Sequence, residues 1–221
     1  IGSSLTRWLV EHSGGYPVFV VEALRLWSLT GRLDFTGGGY ELTGGDDPLP
    51  ETVEAIWSER LEAVASGETG SDQLDIMLRA AVLGEPFTYS ALQEMLRCEG
   101  VEAFQEKLGD AWTTWIHSGL WQAMSPGTCL FVNHSLRAAV LTRFDENQQR
   151  TLHAYAAQGR LLSPISDPAS EVFAIAEHYA YAGLPSEAFP FYLRATRQAL
   201  AKGRNRAALE CIRKAAKQLP G

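Results

Sequence analysis

The residues best suited to chemistry in this chain are its histidines and cysteines, and their spacing decides which reactions are open to them. The 221 residues include five histidines and three cysteines, spread along the whole sequence. No His-Glu-x-x-His pair and no Cys-x-x-Cys pair occurs, so the spacing predicts no metal site. His134 precedes Ser135, but neighbours in sequence do not make a nucleophile and its base, and no orienting carboxylate is identifiable. The sequence therefore predicts no catalytic residue.

Motifs that bind and cleave nucleotides are missing as well. No Gly-x-x-x-x-Gly-Lys-Ser/Thr loop occurs, and no lysine follows a glycine. Without that loop and its lysine, the chain has no group to hold β and γ phosphates or to position Mg²⁺. The Gly-x-Ser-x-Gly turn of serine hydrolases is also missing. We expect the isolated chain not to be an enzyme, to need no cofactor and to bind ATP feebly at most.

Composition limits the class of protein further. Hydrophobic residues make up 46% of the chain, which is enough for buried cores and argues against wholesale disorder. No apolar run approaches the roughly 20 residues that a membrane-spanning helix needs. The cysteines are few, odd in number and scattered, which favours reduced thiols and a cytoplasmic location. Because the sequence begins at Ile1 without a leader, we expect an internal segment of a longer protein.

Charge is distributed unevenly along the chain. Residues 41–110 carry sixteen acidic side chains against four basic ones. Residues 194–217 carry eight basic side chains against a single acid, Glu210. The basic tail is either a solvated helical face or a docking surface for an acidic partner or a nucleic-acid backbone, and the sequence leaves both interpretations open.

The elements that position these residues are predicted to be mainly helical. Apolar residues recur at helical spacing on both sides of a turn with the sequence SGGYP. Pro17 suits the first turn of the second helix, where its missing N–H is not needed. Residues 31–47 predict two short strands around a glycine turn. Prolines near residue 50 predict a boundary there, so residues 1–50 form the first domain.

Residues 51–144 are predicted to form a second domain of helices that ends in a hairpin. Thr88 suits the N-cap position of one helix, and another helix is predicted over residues 101–117. Two short strands then flank a turn with the sequence SPG. Helices followed by a terminal hairpin is the chain order of a winged helix. A last helix is predicted from Ser135.

Residues 145–221 are predicted to be helical throughout. Two segments, 20 residues apart, share a glycine, an alanine five residues later, an apolar residue four later and an alanine three later. Small residues at these positions allow helices to approach closely, and the glycine allows a tight turn. This pattern indicates degenerate tetratricopeptide-like helical pairs. The positions are Gly183, Ala188, Tyr192, Ala195 and Gly203, Ala208, Ile212, Ala215.

Four phrases, in order, resemble one known family. Residues 13–24 (SGGYPVFVVEAL) resemble the lid-helix signature of the STAND class of AAA-like ATPases, which includes LuxR-type regulators and ATPase modules fused to kinases and cyclases. Residues 49–61 are similar to the opening of that family's winged-helix domain, and residues 80–87 to the end of its next helix. Residues 131–139 (FVNHSLRAA) resemble the start of its last helix. The resemblance covers nearly the whole chain.

The resemblance implies where a nucleotide would lie. In that family it lies between a P-loop domain and the lid with the winged helix. Cofactor-binding positions would be Gly15, Tyr16 and Pro17, with the proline ring packed on the adenine. His134 would reach the β phosphate of ADP and hold the closed, inactive state. Many relatives have Asp after this histidine, where this chain has Ser135.

Three functions follow as expectations. The first is a non-catalytic regulatory segment of a signal-transduction ATPase, with ADP or ATP bound in the intact protein, an upstream P-loop domain as one partner and an effector on the helical repeats as another. The second is a protein-interaction scaffold that ignores nucleotide; an upstream P-loop in the gene would distinguish the two. The third, DNA binding by the winged helix, is disfavoured because Glu102, Glu106 and Asp110 against a single Lys107 repel phosphates.

Overall fold

The structure is a computed structural model that describes residues 3–36, 39–43, 50, 52–65, 70–163 and 168–219. The described part of the chain is mainly helical with two small antiparallel sheets, as the sequence predicts. Its elements, in chain order, are α1 (Ser3–Ser13), α2 (Pro17–Leu29), β1 (Leu33–Thr36), β2 (Gly39–Leu42), α3 (Val53–Ala65), α4 (Gly70–Leu83), β3 (Phe87–Thr88), α5 (Tyr89–Glu99), α6 (Glu102–His117), β4 (Trp121–Ser125), β5 (Thr128–Phe131), α7 (His134–Leu141), α8 (Glu146–Leu162), α9 (Pro168–Tyr181), α10 (Pro185–Ala201) and α11 (Asn205–Ala216).

Most predicted helix boundaries follow from local chemistry and are confirmed. Helix α2 begins at Pro17, and α5 begins after Thr88, whose hydroxyl accepts a hydrogen bond from the backbone N–H of Ala91 at 3.1 Å. Such a side-chain acceptor satisfies one of the N–H groups that a helix leaves open in its first turn. The last helix predicted within residues 51–144 differs slightly, since α7 begins at His134 and not at Ser135.

The described strands number five, one more than the four predicted. The unpredicted strand is β3, which contains two residues and pairs with β5, so that the second sheet has the order β3-β5-β4. Residues 33–36 and 39–42 form the predicted exposed hairpin. The tip of that hairpin at Gly37 and Gly38, the proline at Pro48 and most of the polar loop predicted at residues 66–72 lie outside the described residues.

Backbone contacts divide the chain into two compact units. The first, unit 1, contains residues 1–74 and 133–139; the second, unit 2, contains residues 75–132 and 140–221. The division into three domains, with boundaries at residues 50 and 144, stays a prediction from the sequence.

Unit 1 is built on apolar residues of α1, α2 and α3, with a charged pair inside. Trp27 and Trp57 are fully buried in it. The carboxylate of Glu22 accepts hydrogen bonds from the guanidinium groups of Arg60, which is buried, and Arg25, which is half exposed. Burial lowers the pKa of Arg60, and the adjacent Glu22 opposes that effect. A buried guanidinium is tolerated here because a carboxylate partners it.

Unit 2 contains a close helix crossing that depends on a glycine. A Cβ on Gly159 of α8 would lie 2.7 Å from the carbonyl oxygen of Ala91 and 2.7 Å from the backbone nitrogen of Met95, both in α5. No side chain fits at that distance, so the two helix backbones touch only because residue 159 is glycine. One residue later, Arg160 donates to the carbonyl oxygen of Leu83 at 2.8 Å and to Glu171 at 2.8 Å.

Helices α8 to α11 pack on one another in chain order. Glycines in the left-handed region, Gly183 (φ +74°) and Gly203 (φ +67°), close the turns before α10 and α11. The alanines of the two segments with a shared residue pattern are buried, as close helix approach requires. Their apolar positions differ: Tyr192 is 1% exposed, whereas Ile212 is 45% exposed.

None of the helices within the described ranges is both long enough and apolar enough to cross a membrane.

Candidate functional site

The turn before α2 holds three of the four predicted site residues in a defined backbone path. Gly14 (φ +54°) and Gly15 (φ +82°) both lie in the left-handed region of backbone conformation, which residues with a Cβ atom disfavour. Tyr16 is extended (φ −86°, ψ 110°) and its N–H donates to the carbonyl of Ser13 at 2.8 Å. Pro17 then occupies the first turn of α2. The two glycines therefore reverse the chain so that Tyr16 and Pro17 stand at a helix start.

Apolar side chains surround this helix start and face solvent. Tyr16 is 71% exposed, Pro17 is exposed, and Val18 and Val21 are 44% and 45% exposed. Helical spacing of three and four residues puts these side chains on one side of α2. We call Tyr16, Pro17, Val18 and Val21 the α2 surface. The largest exposed apolar patches on soluble proteins often mark binding sites, and a run of this kind at a helix start fits a planar apolar ligand or a second domain.

The fourth predicted residue, His134, is the first residue of α7 and is exposed. Asn133 orders the start of this helix, because its side-chain oxygen accepts a hydrogen bond from the backbone N–H of Ser135 at 2.8 Å. The helix dipole places partial positive charge at this end. An imidazole here can donate a hydrogen bond to an anion that the dipole also attracts.

The structure brings these two helix starts into the same compact unit. Residues 133–139 group with residues 1–74, although 117 positions separate Pro17 from His134 in the sequence. Unit 1 therefore contains exposed rings at the start of α2 and an exposed imidazole at the start of α7.

One histidine pair was missed in the sequence analysis. His153 and His178, 25 residues apart, lie on α8 and α9 with their Nδ1 atoms 2.8 Å apart. The ring of Tyr181 stacks on His153, and Nε2 of His178 lies 3.2 Å from the carbonyl oxygen of Leu83. Their spacing carries no recognisable motif, so only the packing of two helices brings them together. Within the described ranges, no group of three or more His, Cys, Asp or Glu side chains could hold a metal ion.

The three cysteines are free thiols with different surroundings. Burial raises the pKa of Cys129 to about 11 and also raises those of Cys98 and Cys211. A raised pKa leaves little thiolate at neutral pH, and the thiolate is the reactive form. The cysteines therefore have the character of packing residues, not of nucleophiles.

Comparisons of this chain with known protein families, with curated proteins and with solved structures give no match.

Proposed function

We propose that this chain is a non-catalytic regulatory segment of a nucleotide-switched signalling ATPase. In this proposal, unit 1 closes over a nucleotide whose phosphates are held by a P-loop domain of the same protein. ADP favours the closed, inactive arrangement, and exchange for ATP releases it. Such a switch works because the nucleotide binds one arrangement more tightly than the other.

The observation that carries the proposal is that the starts of α2 and α7 belong to the same compact unit. Chain order alone gives no reason for residues 133–139 to group with residues 1–74, since unit 2 residues lie between them in the sequence. A nucleotide site needs both an apolar face for the base and a donor for the phosphate. Grouping the start of α7 with the start of α2 supplies both within one compact unit.

The chemistry at each helix start supports the same assignment. The ring of Pro17 is rigid, apolar and exposed, so it can pack on an adenine ring without losing conformational freedom. Tyr16 adds an exposed aromatic ring beside it, and Gly15 sets the direction of the chain. His134 donates to a phosphate oxygen. A hydrogen bond to a charged group contributes about 1.5–3 kcal/mol, which is the range that a nucleotide-dependent latch requires.

Partner surfaces follow from the same proposal. The α2 surface is apolar and carries no charge, which suits contact with a P-loop domain over the nucleotide. In unit 2, the order α5, α6, β4, β5 with the added strand β3 is consistent with a winged helix. Its helix α6 exposes Glu102, Glu106 and Asp110, which disfavours DNA binding and favours a role as a connecting module. The helices α8 to α11 would receive the activating partner, in the cytoplasm.

A proline substitution tests the nucleotide site. In the protein that carries this segment behind a P-loop domain, we expect Pro17→Ala to weaken ADP affinity about tenfold, since two buried methylenes contribute roughly 1.6 kcal/mol. Pro185→Ala is the matched control, because Pro185 also lies in the first turn of a helix and is exposed. Fluorescent-ADP titration measures both. Equal affinity for the two variants contradicts the assignment.

The isolated chain gives a second test. We expect no ATP turnover and no calorimetric binding at micromolar ATP, because the phosphate-binding loop belongs to the other domain. The alternative function is a scaffold whose helical repeats bind a partner whatever the nucleotide; the packing of α8 to α11 is the observation that favours it. That alternative predicts that neither ADP nor ATP changes partner affinity in the intact protein.

A further inference from the structure

Helix α11 buries one side and exposes an apolar stripe on another. Ala208, Cys211 and Ala215 are buried, and Cys211 and Ala215 pack against residues of α9 and α10. Two long apolar side chains outside that buried side stay in solvent: Leu209 is 48% exposed and Ile212 is 45% exposed. The spacing of three residues between them places both on one strip of the helix surface.

A groove lies at the end of α11. Leu219 is 56% exposed and lines a groove of about 590 Å³ together with Lys217 and, from the first turns of α10, Pro185 and Phe189. The exposed stripe on α11 and the groove at its end are together called the track.

A row of basic side chains borders this track. Arg206, Arg213 and Lys217 recur at intervals of seven and four residues, so they follow the helix on one side next to the stripe. All three are exposed, and none of them has an ion-pair partner among the described residues. Their neighbour Lys214 differs, because it is paired with Glu177 of α9.

The two similar segments differ in how far the described helices cover them. Helices α9 and α10 each pack between two neighbouring helices, α8 and α10 for the first and α9 and α11 for the second. At the shared apolar position of the two similar segments, Tyr192 of α10 is buried, whereas Ile212 of α11 is exposed. A helix laid along α11 would bury Ile212 as the neighbours of α10 bury Tyr192.

We propose that this track, defined by Leu209, Ile212, Leu219, Arg206, Arg213 and Lys217 and called the α11 surface, binds an acidic amphipathic helix of a partner protein. Apolar residues of that helix at spacings of three and four would cover the stripe, and its flanking carboxylates would pair with the basic row. This inference deepens the proposed function, since it names the chemistry of the partner on the helical repeats, and it rests on that function for its biological role.

Two other occupants fit the α11 surface less well. A second copy paired symmetrically would bring the two basic rows together, and like charges oppose such contact. An anionic membrane would attract the basic row, but the exposed stripe contains no aromatic anchor, and the buried side of α11 fixes the helix against α9 and α10. The acidic helix matches both the apolar spacing and the charge.

Peptide binding to the present chain tests the inference. The probe is a fluorescein-labelled synthetic peptide of about 18 residues, long enough to form four or five helical turns, with leucines at helical spacing and glutamates on either side. We expect saturable binding that weakens as salt is raised. The double variant Arg206→Glu/Arg213→Glu and the single variant Ile212→Asp should each weaken it at least about tenfold. Arg7→Glu, at an exposed position of α1, is the control and should leave it unchanged.

Several results would overturn the inference. They are equal binding of a peptide with lysines in place of the glutamates, binding that the α11 variants leave unchanged, and no binding at all. Two further arms address the other occupants: sedimentation that shows self-association lost in Ile212→Asp, or retention on phosphatidylserine vesicles without peptide binding, would assign the surface to those partners. The peptide assay contains no nucleotide, so its failure leaves the Pro17 test standing, and failure of that test leaves peptide binding standing.

Discussion

The most closely packed contacts inside the two compact units involve different kinds of residue. Unit 1 buries a carboxylate and a guanidinium, Glu22 and Arg60, among large aromatic side chains. Unit 2 also buries an arginine, Arg160, which pairs with Glu171, but its closest contact is between helix backbones at Gly159. A buried ion pair tolerates the loss of neither partner, whereas a close crossing tolerates no added atom.

The exposed surfaces of the two units also differ. The α2 surface in unit 1 is apolar and neutral, and it includes Tyr16 and Pro17, which are proposed to hold a nucleotide. The α11 surface in unit 2 combines apolar side chains with three basic ones that have no ion-pair partner in the described part of the chain. On the proposals above, the two surfaces would bind partners of different chemistry: a domain that closes over a nucleotide for the α2 surface, and an acidic helix for the α11 surface.

Removing the buried guanidinium should have the largest effect on stability. We expect Arg60→Met to lower the free energy of unfolding by about 3 kcal/mol, the lower end for a broken buried pair, because Arg25 still partners Glu22. Arg25→Met, which removes a half-exposed partner of the same carboxylate, should cost about 1 kcal/mol or less. Hydrogen exchange followed by mass spectrometry should show the loss in peptides of unit 1. Equal losses for the two variants would contradict the burial argument.

A methyl group at the close crossing should have the next largest effect. We expect Gly159→Ala to destabilise unit 2 by about 1–3 kcal/mol, since backbone atoms of α5 must move away from the new Cβ. Gly109→Ala is the matched control. Gly109 is also helical, but the nearest atom to its added Cβ is the Tyr89 hydroxyl at 4.0 Å. The control should gain about 0.5–1 kcal/mol from better helix propensity. Urea unfolding measures both; a stabilised Gly159→Ala would show that the crossing is not close.

The turn before α2 should show the smallest effect. We expect Gly15→Ala to cost about 1–2 kcal/mol locally, because φ at +82° places an alanine in the left-handed region. Among the described residues, apart from the two chain neighbours of Gly15, no atom lies within 4 Å of the added Cβ, so the cost is conformational and not steric. Hydrogen exchange in peptides from α1 and the start of α2 should rise, while unit 2 is unchanged. Unaltered exchange in both regions would mean that the turn does not need glycine.

Sequence could predict the parts of the fold that depend on neighbouring residues. The start of α2 at Pro17 and the cap of α5 at Thr88 follow from short-range chemistry, and both predictions are confirmed. Strand β3 was missed because two residues carry no alternating pattern; its identity comes from pairing with Cys129 and Thr128 of β5.

Long-range contacts could not be predicted, because they join residues that are far apart in the sequence. A glycine within a helix suggests only a weaker helix, so the contact of Gly159 with α5 gave no sequence signal. Arg160 meets the carbonyl of Leu83 across 77 positions, and nothing in either residue type indicates the other. The same holds for the predicted site residues. The family resemblance indicated Pro17 and His134, but only the fold groups their helix starts in one unit.

The most direct test of the proposed switch is the rate at which ADP leaves the intact protein. We predict that His134→Ala in the protein with its P-loop domain speeds ADP release about 10- to 100-fold, because a charge-assisted hydrogen bond of roughly 1.5–3 kcal/mol is lost. His117→Ala, which removes an exposed histidine at the end of α6, should leave the rate unchanged. Stopped-flow displacement of fluorescent ADP gives both rates. A folded His134→Ala protein that releases ADP at the wild-type rate would contradict the proposed latch.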